Sequence, residues 1–271
     1  HSAYEVLNDW VKSHKKSGGR VTLEELHEEW YADAEKGNPR FRKELPATSS
    51  RKMFVGNGGR NGAEDLIERI RDYEENHSDQ LRPTLSALAR DGQVPKEMFV
   101  TCCDSRVLPH QFTSSGPGDL FKIRNIGNMV PRNGEGSSVG AAVEYAVSVL
   151  GVERIVVCGH SSCGAMNALL DGTNNLPYEN LKHWLSLGER TLIGFRAQPT
   201  IAAGRKPVDQ LSLVNVVEQL DNLMTYDVVK TGVEAGSLSI LGLFFDIDEA
   251  RVYIYDSDQK RFLTVDEIPE A

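Results

Sequence analysis

Arg154-Ile155-Val156-Val157-Cys158-Gly159-His160-Ser161-Ser162-Cys163-Gly164-Ala165 is the stretch that decides how this chain folds. Its first residues form a short apolar run of the kind buried on both faces of a sheet. Gly159 marks a turn, and the spacing after it predicts a helix over residues 161–170. A buried strand leading straight into a helix is the unit from which α/β domains are built.

The same unit recurs on either side. Residues 96–102 read as a strand with Met98-Phe99-Val100 as its buried run, and residues 119–124 as another. Residues 137–150 have a helical period through Val139, Val143, Ala146, Val147 and Leu150, stopped by Gly151. Helices are also expected over 63–76 (apolar face Leu66, Ile67, Ile70), after Pro83 (Leu85, Leu88, Ala89) and over 214–226. Residues 238–246 and 252–256 read as strands of a hairpin bent at Asp248-Glu249. The expected fold is α/β, a mainly parallel central sheet flanked by helices, with an N-terminal helical extension.

That extension is residues 1–32. Ala3, Val6, Leu7, Trp10 and Val11 share a helical face, Gly18-Gly19 ends it, and Arg20-Val21-Thr22-Leu23 reads as a short strand. This is too little to close a core. Residues 33–62, rich in charge, Gly, Asn and Pro, read as a linker, leaving 63–271 as the main domain. The chain opens on His1 rather than Met, so a fragment of something longer is expected.

Of the 271 residues, 40% are hydrophobic and 25% charged, the proportions of an ordinary globular protein. A net charge of −9 with no basic stripe argues against nucleic acid as a partner. No apolar run is long enough to span a bilayer, and residues 1–20 lack an apolar signal core. The four cysteines all lie between 102 and 163, unlike a disulfide framework, so a reducing cytoplasm is expected.

Cys102 and His160 both stand where a predicted strand ends, the edge at which open α/β sheets bind ligands. With Cys163 they make a soft sulfur and nitrogen set suited to Zn²⁺. Three protein donors leave a fourth position. Asp104 is the candidate fourth ligand, and Arg106 competes for its carboxylate. Cys163 is expected in the first turn of the following helix, where unpaired N–H groups favour a thiolate. Gly159 and Gly164 keep the approach open. Taken singly, each cysteine reads as a buried residue; taken together with His160, Asp104 and Arg106, the set reads as a metal site. Cys103 and Cys158 read as packing residues, since strand alternation turns Cys103 away from Cys102. A Cys–His nucleophile is the rival chemistry, but it leaves Asp104-Ser105-Arg106 without a role. His110 and His183 read as solvated or locally bonded.

The Cys102-x-Asp104-Ser105-Arg106 and His160-x-x-Cys163 motifs together resemble the β-class carbonic anhydrases. So do Gly92-Gln93-Val94-Pro95, the turn Arg124-Asn125-Ile126-Gly127-Asn128 with Val130-Pro131, and Glu144-Tyr145-Ala146-Val147. The resemblance spans residues 63–265. It implies reversible hydration of CO₂ to bicarbonate by zinc-bound hydroxide, with Cys102, His160 and Cys163 holding Zn²⁺. Asp104 and Arg106 would free or occupy the fourth position. Gln93 would hydrogen-bond substrate from a partner subunit, and Phe121, Ile126, Tyr145 and Gly164 would wall the substrate pocket. A homodimer or dimer of dimers is implied. Phe99 stands where some bacterial members carry a Trp that shares a bicarbonate regulatory site, with Arg124 and Tyr145 as its companions.

Two alternatives use the same site: hydrolysis of CS₂ or COS, and a non-catalytic domain that binds zinc and bicarbonate to regulate a transporter. The second arises because residues 1–30 resemble the end of a STAS domain, the cytoplasmic tail of sulfate-permease-type anion transporters. That resemblance implies covalent attachment to a membrane transporter at the cytoplasmic face of the inner membrane. An ordinary extension packed on a dimer partner is the competing reading.

Overall fold

The computed structural model describes residues 62–135, 138–197 and 204–268. The helix expected over 3–14, the strand over 20–23, the STAS-like segment and the linker through residue 61 lie outside the described residues. The chain divides between Glu75 and Asn76 into two compact units, and the second carries the sheet. No helix among the described residues is long and apolar enough to cross a membrane.

Helix α1 spans Gly62–Asn76 and α2 spans Ser78–Asp91. The sequence places the start of the second helix after Pro83, but Pro83 lies inside it. As the sixth of fourteen residues, Pro83 lies past the first turn and costs the helix one interior backbone bond. The sheet is built from β1 (Glu97–Cys102), β2 (Leu120–Asn125), β3 (Arg154–His160), β4 (Ser239–Asp246), β5 (Arg251–Asp256) and β6 (Arg261–Thr264). Their order is β2-β1-β3-β4-β5-β6. The first four run parallel and the last three form an antiparallel meander. This is the expected mainly parallel sheet flanked by helices.

Between the strands lie α3 (Pro109–Phe112), α4 (Ser138–Tyr145), α5 (Gly164–Asp171), α6 (Glu179–Leu185), α7 (Glu189–Ala197), α8 (Pro207–Leu223) and α9 (Asp227–Glu234). The helix read over 137–150 is α4 followed by a π-turn, Ala146–Leu150, and Gly151 ends it in the left-handed conformation (φ 65°) as expected. The helices over 179–197, α9 and β6 are not foreseen from sequence.

Alternation along β1 and β3 divides the core between the two faces. Met98, Val100, Ile155 and Val157 pack with α4, α8 and α9 through Val139, Val143, Val216, Leu220 and Val229. Phe99, Val156 and Cys158 face the other way with Leu120 and Leu243. Phe99 and Tyr145 therefore lie on opposite faces, because Tyr145 packs at a tilt against Phe121, ring centroids 5.9 Å apart, and Phe121 packs on the first cluster. Phe99, which replaces the Trp of that regulatory site, does not share a site with Tyr145 within one chain. Gly159 lets α8 cross β3 closely: a Cβ there would lie 2.8 Å from Val216 Cγ2.

Candidate metal centre

β1 and β3 are neighbours in the sheet, so Cys102 and His160 leave adjacent strands at the same carboxyl edge. Cys163 joins them because the chain turns within three residues. Ser162 takes a left-handed conformation (φ 53°), and α5 begins immediately after Cys163. The sulfurs of Cys102 and Cys163 and a ring nitrogen of His160 lie within 4.8 Å of one another, and all three residues are buried. Cys163 is thus the N-cap of α5 rather than a residue of its first turn, a difference of one peptide unit.

The donor atoms are prepared for a cation. His160 Nδ1 lies 2.9 Å from its neighbour's carbonyl, Ser161 O, which fixes that nitrogen as the N–H and leaves the Nε2 lone pair free. Nε2 is buried with no hydrogen-bond partner. A buried imidazole nitrogen facing two sulfurs without a partner is what a soft divalent ion would satisfy, so the residues fit zinc. The Cys102 and Cys163 sulfurs lie within 4.8 Å of each other. Their mutual interaction is the main cause that pushes the Cys102 thiol well down and the Cys163 thiol up, and His160 also lowers the Cys102 thiol. Burial opposes the thiolate at both, while the Gly127 N–H supports it at Cys102 and those of Met166 and Ala165 support it at Cys163. The pair readily holds one negative charge.

Beside them Asp104 is clamped. Arg106 Nε donates to Asp104 Oδ1 at 2.9 Å, Arg106 Nη2 to Oδ2 at 2.7 Å, and the Arg106 backbone N–H to Oδ1 at 3.0 Å. These bonds hold the Asp104 carboxyl well below the usual carboxylate range, with the Arg106 side chain as the largest cause. Asp104 Oδ2 remains 4.0 Å from His160 Nε2. Arg106 also reaches the Ser162 carbonyl at 3.3 Å, and Arg124 braces the same turn through the carbonyls of Cys102 and Asp104.

Of the other sequence candidates, Ile126 and Gly164 stand near this edge. Ile126 lines an open cavity of about 510 Å³ with Cys103, Lys122, Arg124 and Trp184, and Gly164 opens α5. Gln93, Phe121 and Tyr145 do not join them within one chain. Gln93 is exposed ahead of β1. Phe121 pairs with Met98, near the opposite end of β1, about 13 Å along the strand from Cys102 at ~3.3 Å per residue. Cys158 is buried as expected, its thiol pushed up to about 12 by desolvation. Cys103 is exposed rather than packed, because β1 ends at Cys102 and alternation no longer governs the next residue. His110 is locally bonded, 2.9 Å from Lys122 Nζ.

Sequence reasoning missed the supports of the site. Asp209, Ser212, Asn215, Gln219 and Asn222 recur at helical spacing on α8 and are all buried. Asp209 accepts the Ser162 N–H at 2.6 Å, and Asn215 Nδ2 donates to Gly127 O at 2.9 Å. Gln219 accepts the Val130 N–H at 2.7 Å, and Asn222 Nδ2 donates to Val130 O at 3.0 Å. A polar stripe of this period reads as a solvated face. The available signal is that four of its five members are uncharged amide or hydroxyl residues rather than Lys or Glu. Asn215→Ala should lower stability by about 2–4 kcal/mol, since it strips partners from buried groups at Gly127, Thr191 and Gln219. Urea denaturation midpoints measure this; a change under 0.5 kcal/mol contradicts it.

A buried two-thiol, one-imidazole set at the carboxyl edge of an open sheet, with a clamped carboxylate beside it, defines an α/β protein with a metal-capable centre. The chain belongs to the carbonic anhydrase family, which matches residues 97–252, and it is of the β class. Carbonic anhydrase of Pseudomonas aeruginosa is 41% identical over 180 residues, covering 66% of this chain and 81% of that protein. The solved β-carbonic anhydrase CcaA is 35% identical with a TM-score of 0.70, covering 75% of this chain and all of the other. The tetrameric β-carbonic anhydrases of Sordaria macrospora include a chain 25% identical, TM-score 0.62, covering 72% of this chain and 97% of that one.

Proposed function

We propose that this chain catalyses the reversible hydration of CO₂ to bicarbonate and a proton, with Cys102, His160 and Cys163 as ligands of a zinc ion. The observation that carries the reading is the buried, unpartnered His160 Nε2 facing the two sulfurs. A zinc ion held there lowers the pKa of a coordinated water from 15.7 toward ~7 and so supplies a nucleophile at neutral pH. Arg106 keeps Asp104 from the fourth position by engaging both carboxylate oxygens. Ile126 and Gly164 form the near wall of the substrate pocket. CO₂ is small and uncharged, so apolar walls and one hydrogen-bond donor suffice to place it.

Gln93, Phe121 and Tyr145 serve a second copy of the chain. The separation of Phe121 from Cys102 along the strand and the pairing of Tyr145 with Phe121 support this role, as does the tetrameric state named for the Sordaria relatives. The working form is then a homodimer or a dimer of dimers.

Stopped-flow CO₂ hydration on zinc-quantified protein across pH 6–9 tests the reading. Two thiolates would offset the charge of a zinc ion, so the rate should rise through this range, best in mild alkali. Stoichiometric zinc with no hydration at any of these pH values would leave the non-catalytic reading. Activity that survives chelation but dies on alkylation would point to a thiol nucleophile.

A further inference from the structure

We infer that Trp184 is a positioning residue for the metal centre: through one peptide plane it aims the Gly127 N–H at the Cys102 sulfur. The inference rests on the metal reading proposed above. Trp184 Nε1 donates to the Ile126 carbonyl at 2.8 Å. The other end of that same peptide unit, the Gly127 N–H, donates to Cys102 Sγ at 3.4 Å. Because the peptide is planar, holding the carbonyl sets the direction of the N–H.

The turn leaves little other freedom. Gly127 has φ +78°, and a Cβ on it would stand 2.9 Å from the Ala165 Cβ. Asn215 Nδ2 holds the next carbonyl, Gly127 O, at 2.9 Å. The two peptides flanking Gly127 are therefore held from two different helices, α6 through Trp184 and α8 through Asn215. Trp184 also packs on the apolar cluster that contains Cys102 and Cys163. A hydrogen bond to the carbonyl polarises the peptide and makes its N–H a stronger donor. A thiolate that accepts such a bond gives less charge to a metal, the kind of control outer partners exert on a ligand.

Trp184→Phe keeps a ring at this place and deletes the N–H. With the full chain loaded with Co²⁺, the near-ultraviolet sulfur-to-cobalt charge-transfer band should move to longer wavelength while one cobalt per chain is retained. Although the freed thiolate is the better donor, loss of its fixed orientation should outweigh this, and zinc retention against a chelator should weaken about 10-fold. Leu187→Ala, a change in the same apolar cluster with no hydrogen bond to that peptide, should leave the band in place. A band unmoved by Trp184→Phe, or moved equally by Leu187→Ala, overturns the inference. If Trp184→Phe does not fold, ring-fluorinated tryptophan is placed at 184 in a chain whose Trp10 and Trp30 are Phe. The stronger donor should then move the band to shorter wavelength, and an unmoved band is equally fatal. Absence of any sulfur-to-cobalt band in the unaltered chain overturns the metal reading first and takes this inference with it.

Discussion

Cys163→Ser is expected to strip zinc from the protein and to reduce CO₂ hydration below about 1% of the unaltered rate, because no second metal-capable cluster among the described residues could make a nucleophile from water at neutral pH. The hydroxyl is a poor substitute for a thiolate toward a soft ion. What remains is a buried imidazole facing one sulfur. Cys163 belongs to the apolar cluster around Met129, Met166, Leu169 and Leu211, but serine is close to cysteine in size and the rest of the cluster is kept, so the variant should still fold. Metal analysis alongside circular dichroism separates the two properties. A folded Cys163→Ser protein with one tightly held zinc per chain would contradict the ligand assignment. Chelation of the unaltered chain should give the same loss, and added zinc should restore the rate.

Arg106→Ala should lower CO₂ hydration about 100-fold without loss of zinc. The substitution removes both side-chain bonds to the Asp104 carboxylate and leaves only the backbone N–H at residue 106. Asp104 Oδ2 already lies 4.0 Å from His160 Nε2, so the freed carboxylate can turn into the fourth position and exclude water. Low pH within the working range should not rescue the variant. Without Arg106 the Asp104 carboxyl returns toward the ordinary value near ~3.9, so it stays ionised across pH 6–9. The double variant Asp104→Ala/Arg106→Ala lacks the blocking group and should recover part of the lost rate. Turnover of Arg106→Ala equal to the unaltered chain across pH 6–9 would refute the gate.

The clamp also has a stability consequence with a definite sign. Its carboxyl is depressed in the folded state, so its contribution is complete above about pH 4 and is lost as pH falls through the folded value.

The two motifs and their placement at strand ends were readable because each depends only on local pattern. Met98-Phe99-Val100 and Ile155-Val156-Val157 are apolar runs that declare buried strands, and the residue after such a run falls at the edge. Cys103 reads as packed for a related reason: alternation is extended one residue past the end of β1, where the backbone still bonds to Asn125 but the side chain is exposed. Pro83 reads as a boundary, yet the helix runs through it from Ser78 to Asp91. The π-turn after Tyr145 and the helices over 179–197 leave only short, mixed patterns in the chain.

By itself the sequence determined the donor types, their order and the strand ends that carry them, because these follow from side-chain chemistry and short-range periodicity. Tertiary structure alone decided that Arg106 occupies both oxygens of Asp104. It alone turned the polar stripe of α8 inward, against the Gly127 and Ser162 turns. It also set Trp184 on the Ile126 carbonyl and left Phe121 at the far end of the sheet. The physical reason is that a hydrogen bond is chosen by whatever lies within 3 Å of a buried group, and that neighbour is fixed by strand register and helix packing rather than by distance along the chain.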